Sequence, residues 1–150
     1  MVDIAHDRGE RLARCEWILA APWHFAAVED ILRFDSPVNV ATVRFTTEPI
    51  PVGDVVIPAN EFVMISLLGA NRDDRRFDHA DRLDVTRKPN AHLAFGHGIH
   101  HCLGAPLARL EGQTALGKLL ARFDRLELAT AGPIEYRDST LMHGLSALPV

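Results

Sequence analysis

Apolar side chains recur at helical spacing in the first quarter of the chain. Leu12, Cys15 and Leu19 lie three or four residues apart, and this spacing predicts a first helix over 7–21. Apolar and charged residues alternate with a similar period over 26–36, where a second helix is predicted that ends before Pro37. Both segments therefore favour helix over strand.

A longer helical pattern begins just after Cys102. Pro106 suits the first turn of this helix, because proline lacks the N–H group that a helix start leaves unpaired. The helix is predicted to end near Phe123 and Asp124. Its apolar stripe comprises Leu103, Leu107, Leu110, Thr114, Gly117 and Ala121, with Leu116, Leu119 and Leu120 close by.

Alternating apolar and polar residues predict strands in the middle of the chain. A half-buried strand is predicted over 38–45. A hairpin is predicted next, with strands over 55–57 and 62–66 and a turn over 58–61. Asn60 suits this turn, because asparagine tolerates the left-handed backbone conformation. Together with the helices, these strands predict a mainly α fold with small antiparallel β sheets.

The composition is that of one globular domain with an ordinary core. Of the 150 residues, 47% are hydrophobic and 24% are charged, as in an average domain. No apolar run approaches the ~20 residues of a membrane span, so no membrane partner is expected. The N-terminus lacks the pattern of a signal peptide, and two cysteines do not make a disulfide framework. These features favour the cytoplasm, with Cys15 as a small buried apolar residue.

The charges are unevenly distributed. The net charge is −4, yet the segment 87–122 carries Arg87, Lys88, Arg109, Lys118 and Arg122 against Glu111 alone, a net +4. This basic segment would attract an acidic partner, although an ordinary solvated helix face has the same pattern. No nucleic-acid partner is expected, because the chain is acidic overall and lacks alternating aromatic and basic residues.

The segment 95–109 carries the strongest chemical signal. A single cysteine, Cys102, lies among glycines, follows histidines and directly precedes the third predicted helix. Glycines let the backbone approach a flat ligand closely. The N–H groups and positive dipole end of the helix favour an anionic thiolate at the cysteine. The pattern is therefore typical of a thiolate that binds a metal.

Residues 95–109 fill every fixed position of Phe-Gly-x-Gly-x-His-x-Cys-x-Gly-x-x-Leu-Ala-Arg, which resembles the haem-binding loop of the cytochromes P-450, soluble bacterial type. The resemblance implies that the Cys102 thiolate is the axial ligand of haem iron. The absence of a Cys-x-x-Cys-His attachment motif implies non-covalent haem b. His100 and Arg44 match the haem-propionate partners, and the proximal side would be lined by Phe95, Gly96, Leu103 and Gly104.

A second part of the resemblance lies in the second helix. Asp30 and Arg33 stand where the family has a Glu-x-x-Arg motif, and Arg82 matches the arginine that completes its charge network. The sequence alone leaves two other interpretations open, a surface ion pair and the alternative pairing of Glu29 with Arg33. Asp30 is one methylene shorter than the family's glutamate and would reach less far.

The resemblance extends over residues 23–150, whereas 1–22 form a weakly matched helical extension. It includes a short strand over 126–128 and a closing hairpin over 141–150. It covers only the C-terminal, proximal part of a family fold that is more than twice as long. Apolar surfaces that normally pack on the missing helices would be exposed, which implies a partner chain, self-association or poor solubility.

The family reaction is oxygenation of a small organic substrate with O2, and its electrons come from NAD(P)H through a ferredoxin or reductase. Because the oxygen-side half has no match in this chain, catalysis by the chain alone stays open. The alternative function is a truncated, non-catalytic remnant, or one part of a split enzyme, acting as a haem-binding or interaction module.

A third interpretation is a zinc site. His97, His100, His101 and Cys102 supply ligands of the right type. Structural zinc sites usually take paired ligands from two separate segments, and residues so closely spaced in one loop would not close a tetrahedron easily. Haem is therefore the favoured cofactor.

Overall fold

The computed structural model describes residues 24–129 and 132–150, and the predicted helix over 7–21 and Cys15 lie outside them. The described residues form helices and small antiparallel sheets, which confirms the predicted fold class. The elements in chain order are α1 (His24–Phe34), β1 (Arg44–Phe45), β2 (Ile50–Val52), β3 (Val55–Ile57), β4 (Phe62–Val63), α2 (Leu67–Asn71), a 3-10 helix (Gly98–His100) and α3 (Ala105–Arg122).

Helix α1 covers the segment predicted for the second helix except its last two residues, and it buries Ala27 and Val28. Its C-terminal end is capped by Arg72, whose Nε and Nη2 donate to the Phe34 carbonyl at 2.8 and 2.5 Å. The Arg72 guanidinium also lies 4.1 Å from the centre of the Phe34 ring. The last turn of α1 is therefore fixed to the end of α2, because Arg72 directly follows Asn71.

Helices α1 and α3 pack closely through small residues. Ala27 and Ala105 are fully buried, and a Cβ atom at Gly112 would lie 3.4 Å from the Val28 side chain. The predicted apolar stripe of α3 is not the face that packs on α1, since Leu107 and Leu110 of the stripe are 58% and 60% exposed. Small side chains let the backbones of α1 and α3 approach each other. Leu107 and Leu110 lie on another face of α3.

The predicted hairpin is wrong in its pairing. Strand β3 pairs with β2 through a turn at Gly53, whose φ is +57°, and not with residues 62–66. Strand β4 pairs instead with β1, Arg44 opposite Val63. Asn60 has the expected left-handed φ of 65°, and its N–H donates to the Thr46 carbonyl at 2.8 Å. Asn60 therefore turns the chain from one two-stranded sheet back to the other.

The segments predicted as strands at 38–45 and 126–128 are mostly irregular. Only Arg44–Phe45 is a strand within the first, and Val38 and Val40 form isolated bridges to Met142 and Ser66. No strand forms over 126–128, where pairing is limited to a hydrogen bond from the Ala129 N–H to the Pro149 carbonyl at 2.9 Å. Such short segments carry too few alternating positions to fix their partners.

The closing segment pairs with the residues just before it. Tyr136 bridges Leu145, and the Ser146 N–H donates to the Glu135 carbonyl at 2.9 Å. The predicted hairpin within 141–150 is thus wrong in its boundaries, because one of its arms starts at 135. His143 stacks on Tyr136 with ring centres 4.5 Å apart.

The core formed by the described residues is small. Their buried apolar members are Ala27, Val28, Leu67, Phe77, Ala80, Ala94 and Ala105, most of them alanine. Large apolar side chains remain exposed in the sheets and near the cysteine, among them Phe62 at 77% and Leu103 at 99%. Exposed apolar surface of the expected kind is therefore present. Over 24–129 and 132–150, no helix combines the length and apolarity needed to cross a membrane.

Candidate functional site

The cysteine loop, residues 95–104, is closed by backbone hydrogen bonds. The Cys102 N–H donates to the Phe95 carbonyl at 2.9 Å, and the His101 N–H donates to the Gly98 carbonyl at 3.0 Å. Gly96 and Gly98 have φ values of +74° and +70°, which residues other than glycine rarely adopt. The glycines of the motif therefore let the loop fold back on Phe95.

The side chain of Cys102 is free and exposed beside the start of α3. The Cys102 carbonyl accepts the Ala105 N–H at 3.2 Å, and Pro106 lies in the first turn as predicted. A Cβ atom at Gly104 would lie 3.7 Å from the sulfur. Ile99 and Leu103, at 97% and 99% exposure, are apolar neighbours in the loop.

This donor set fits haem. It offers one thiol, two exposed aliphatic side chains, and glycines that leave the backbone open to a flat ligand. Haem is planar, mostly apolar and accepts an axial thiolate, so each feature of the loop has a counterpart in the ligand. Phe95, Gly96, Leu103 and Gly104 all lie in this loop.

The two predicted propionate partners lie in separate elements. His100 is exposed at the last position of the 3-10 helix. Arg44 is half-buried in β1, where its Nη1 donates to the Thr42 carbonyl at 2.8 Å and to the Thr42 Oγ1 at 2.5 Å. Neither side chain pairs with a carboxylate among the described residues, so both have hydrogen-bonding capacity for an acidic ligand.

The Asp30 network, consisting of Asp30, Arg33, Arg87 and Asn90, is centred on two buried side chains. Asp30 and Arg33 have fully buried side chains, with Nε of Arg33 2.6 Å from Oδ1 of Asp30. Asp30 also accepts from the Arg87 Nε at 3.1 Å, from the Asn90 Nδ2 at 3.3 Å and from the Asp84 N–H. The predicted pair is therefore a structural centre and not a surface pair.

Arg82 does not complete this network with its side chain. Its carbonyl accepts from Nη2 of Arg33 at 2.6 Å, while Arg87 supplies the second guanidinium. Arg82 is exposed, whereas the Arg87 side chain is only 8% exposed. Both arginines lie in the same polar segment, and the sequence pattern does not show which one points inward.

Sequence reasoning missed Asn71. This residue is fully buried at the end of α2, and its Oδ1 accepts the Leu93 N–H at 2.6 Å. Its own carbonyl accepts from Nη1 of Arg33 at 3.1 Å. Asn71 thus connects the Asp30 network to the segment that enters the cysteine loop.

A second ion-pair cluster was also missed. Glu29 accepts from Nε and Nη2 of Arg109 at 2.6 and 3.0 Å, and its Oε2 lies 3.0 Å from Nε2 of His92. The Arg109 guanidinium lies 4.6 Å from the centre of the Phe95 ring. The cluster, here called the Glu29 clamp, therefore joins α1, α3 and the segment before the cysteine loop.

The imidazole and the carboxyl group of the Glu29 clamp both have lowered pKa values. Burial lowers the pKa of His92 and outweighs the hydrogen bond to Glu29, which would raise it. Burial alone would raise the pKa of Glu29, but the hydrogen bonds from Arg109 and His92 outweigh it and hold that pKa below its usual range. His92 is thus neutral and Glu29 ionised at neutral pH.

Lowering the pH from neutral to mildly acidic values should therefore destabilise the fold through His92. The unfolded state binds a proton near pH 6.5, whereas folded His92 binds it only at lower pH. The stability that neutral His92 contributes is complete above the pKa of the unfolded state. It decreases as the pH falls toward the lower pKa that His92 has in the folded state. Urea unfolding at a series of pH values should show this, with a flatter dependence in His92→Gln. An unchanged pH dependence in the variant would contradict the assignment.

The zinc interpretation receives no support. Among the described residues, which include His97, His100, His101 and Cys102, no three His, Cys, Asp or Glu side chains come together as metal ligands. A closed tetrahedral zinc site needs four such ligands. The cysteine loop thus offers a single soft ligand and not a zinc cage.

The chain is similar in sequence to one family of known proteins. A family model described as Cytochrome P450 matches residues 22–147. The protein named Cytochrome P450 107B1 from Saccharopolyspora erythraea is 52% identical over 125 residues, which are 83% of this chain and 31% of the relative. Vitamin D(3) 25-hydroxylase from Pseudonocardia autotrophica is 54% identical over 128 residues, with the same two coverages.

The backbone agrees with solved structures as well. The tirandamycin C-bound P450 monooxygenase TamI superimposes with a TM-score of 0.89 at 46% sequence identity. The match covers 93% of this chain and 36% of TamI. The chain therefore spans about a third of the length of the proteins it matches.

Proposed function

This chain belongs to the cytochrome P450 family, and on that premise we propose that it binds haem b non-covalently with the Cys102 thiolate as the axial ligand of the iron. The cysteine loop carries this proposal. Its single exposed thiol follows two left-handed glycines and is surrounded by open backbone and exposed apolar side chains.

The neighbouring residues have distinct roles in the proposal. His100 and Arg44 bind the haem propionates, since each has free donors and lacks a carboxylate partner among the described residues. Phe95, Gly96, Leu103 and Gly104 line the proximal side of the ring. The Phe95 carbonyl accepts the Cys102 N–H, so the loop itself holds the backbone from which the sulfur projects.

Bound haem supplies the redox-active iron for oxygenating a small organic substrate with O2, and electrons from NAD(P)H arrive through a ferredoxin or reductase. The chain's own part is to present one thiolate, to exclude water from the sulfur side with Ile99 and Leu103, and to offer a positive surface. Lys118 and Arg122 are charges on the helix that follows the thiolate, where an acidic electron donor would be attracted.

The test is to add haem to the purified chain, reduce it and expose it to carbon monoxide. We expect one haem per chain and the strongly red-shifted main absorption band of a thiolate-ligated ferrous carbonyl. A well-folded chain that binds no haem, or binds it without this band, would contradict the proposal. Stoichiometric zinc in place of iron would contradict it as well.

A second candidate is a non-catalytic haem-binding or interaction part of a larger assembly. The observation that favours it is the exposed apolar surface, with Phe25, Phe45 and Phe62 at 63%, 51% and 77% exposure. This candidate shares the haem site but predicts no substrate oxygenation by the chain alone. Sedimentation analysis should then show self-association of the chain, or a second chain bound to it.

A further inference from the structure

The Glu29 clamp connects three segments that are far apart in the chain. Glu29 lies on α1, His92 lies 63 residues later, and Arg109 lies 80 residues later on α3. The side chains are largely withdrawn from water, with 22%, 2% and 30% exposure respectively. Ordering three side chains from distant segments costs conformational entropy, so the clamp must contribute more than the weak attraction of a surface ion pair.

The hydrogen bonds define the protonation state of His92. Its Nδ1 accepts the Ala94 N–H at 3.2 Å, so this nitrogen carries a lone pair. The proton is therefore on Nε2, from which it is donated to Glu29 at 3.0 Å. The backbone at Ala94 is fixed in this way one residue before the cysteine loop begins, and Ala94 is itself buried.

Arg109 acts on the loop from the other side. Nε and Nη2 of its guanidinium donate to the Glu29 carboxylate, and the centre of the same guanidinium lies 4.6 Å from the centre of the Phe95 ring. The carbonyl of the same Phe95 accepts the Cys102 N–H at 2.9 Å. A continuous chain of contacts therefore runs from Glu29 through Arg109 and Phe95 to the backbone of Cys102.

We propose that Glu29, His92 and Arg109 are positioning residues, which hold Phe95 and thereby fix the backbone and sulfur of Cys102 for metal ligation. The ligation itself rests on the function proposed above, whereas the positioning concerns the haem-free chain as well. The Asp30 network stabilises the fold, but its side chains form no hydrogen bond or ion pair with Phe95 or Cys102 among the described residues. The Glu29 clamp acts on the loop itself.

The first test uses the haem-free chain and the variant Arg109→Lys. Lysine keeps the positive charge but has neither the fork nor the flat cation that covers Phe95. The protection of the Cys102 amide against hydrogen exchange should fall about 10- to 100-fold. This is the loss expected when one charge-assisted contact of ~1.4–2.8 kcal/mol is removed. Protection in the turn at Asn60 should stay unchanged.

Two controls separate positioning from general destabilisation. Thr46→Val removes a buried hydroxyl that bonds to Pro58 and Glu61, far in sequence from the loop. Arg75→Lys makes the same substitution as Arg109→Lys, but in an exposed ion pair with Asp73. Neither should change the protection of the Cys102 amide relative to the rest of the chain. Equal loss in Thr46→Val and Arg109→Lys would overturn the proposal, and so would full protection in Arg109→Lys.

The second test uses the haem-loaded chain. Reduced Arg109→Lys with carbon monoxide should show a smaller fraction of the thiolate-type band than the unmodified chain, whereas Thr46→Val and Arg75→Lys should keep it. An unmodified chain without any such band would refute the haem ligation and leave the exchange result to decide on positioning. A full thiolate-type band in Arg109→Lys would contradict the positioning role.

Discussion

Replacing Asp30 by asparagine should unfold the chain or cost about 3–5 kcal/mol of stability, because it leaves buried guanidinium groups without their counter-charge. Asp30 and Arg33 are fully buried, and Arg87 is nearly so. The asparagine amide would also place two N–H donors where Asp30 now accepts from Arg33, Arg87 and Asn90. Urea denaturation followed by far-UV circular dichroism measures the loss.

The matched control is Asp73→Asn, which removes the same charge from an ion pair at the surface. Asp73 pairs with Arg75, whose side chain is 90% exposed. Water and salt screen this pair, so its loss should barely move the denaturation midpoint. Comparable losses in the two variants would show that the burial of Asp30 does not matter and would contradict this part of the account.

Replacing Cys102 by serine should abolish thiolate ligation while leaving the fold intact. The sulfur is exposed, so its replacement should change stability by no more than ~0.5 kcal/mol. A serine hydroxyl is not a thiolate ligand, and haem affinity should fall by more than the ~10–100-fold that outer-shell changes cost at metal sites. Haem titration and the reduced carbon monoxide spectrum measure both effects.

Cys15→Ser is the control for the Cys102 variant. Cys15 lies outside the family pattern of 95–109, so this variant should bind haem and give the same thiolate-type band as the unmodified chain. If Cys15→Ser removed the band and Cys102→Ser kept it, the ligand would be misassigned.

The sequence predicted well what depends on neighbouring residues. Helical periodicity located α1, and Pro106 and Phe123 bracketed the two ends of α3 correctly. The left-handed conformation of Asn60 also follows from local chemistry, since asparagine pays little for a positive φ. In the cysteine loop, by contrast, the haem-binding roles of Cys102 and its neighbours stay predictions.

The sequence failed where distant segments choose between similar partners. Residues 55–57 pair with β2 across the turn at Gly53, although pairing with 62–66 has the same alternating pattern. Arg82 and Arg87 are both arginines of the same polar segment, and only the structure shows that Arg87 is the one that contacts Asp30. The Glu29 clamp had no local signal at all, because its partners are separated by 63 and 80 residues.

The central claim is the bond between the Cys102 sulfur and haem iron. X-ray absorption at the iron edge of the haem-loaded chain tests it most directly, because it identifies the atoms bound to the iron. We predict one sulfur scatterer in the first coordination shell in addition to the four porphyrin nitrogens, and its absence in Cys102→Ser. A folded, haem-loaded chain with only nitrogen or oxygen bound to the iron would contradict the claim.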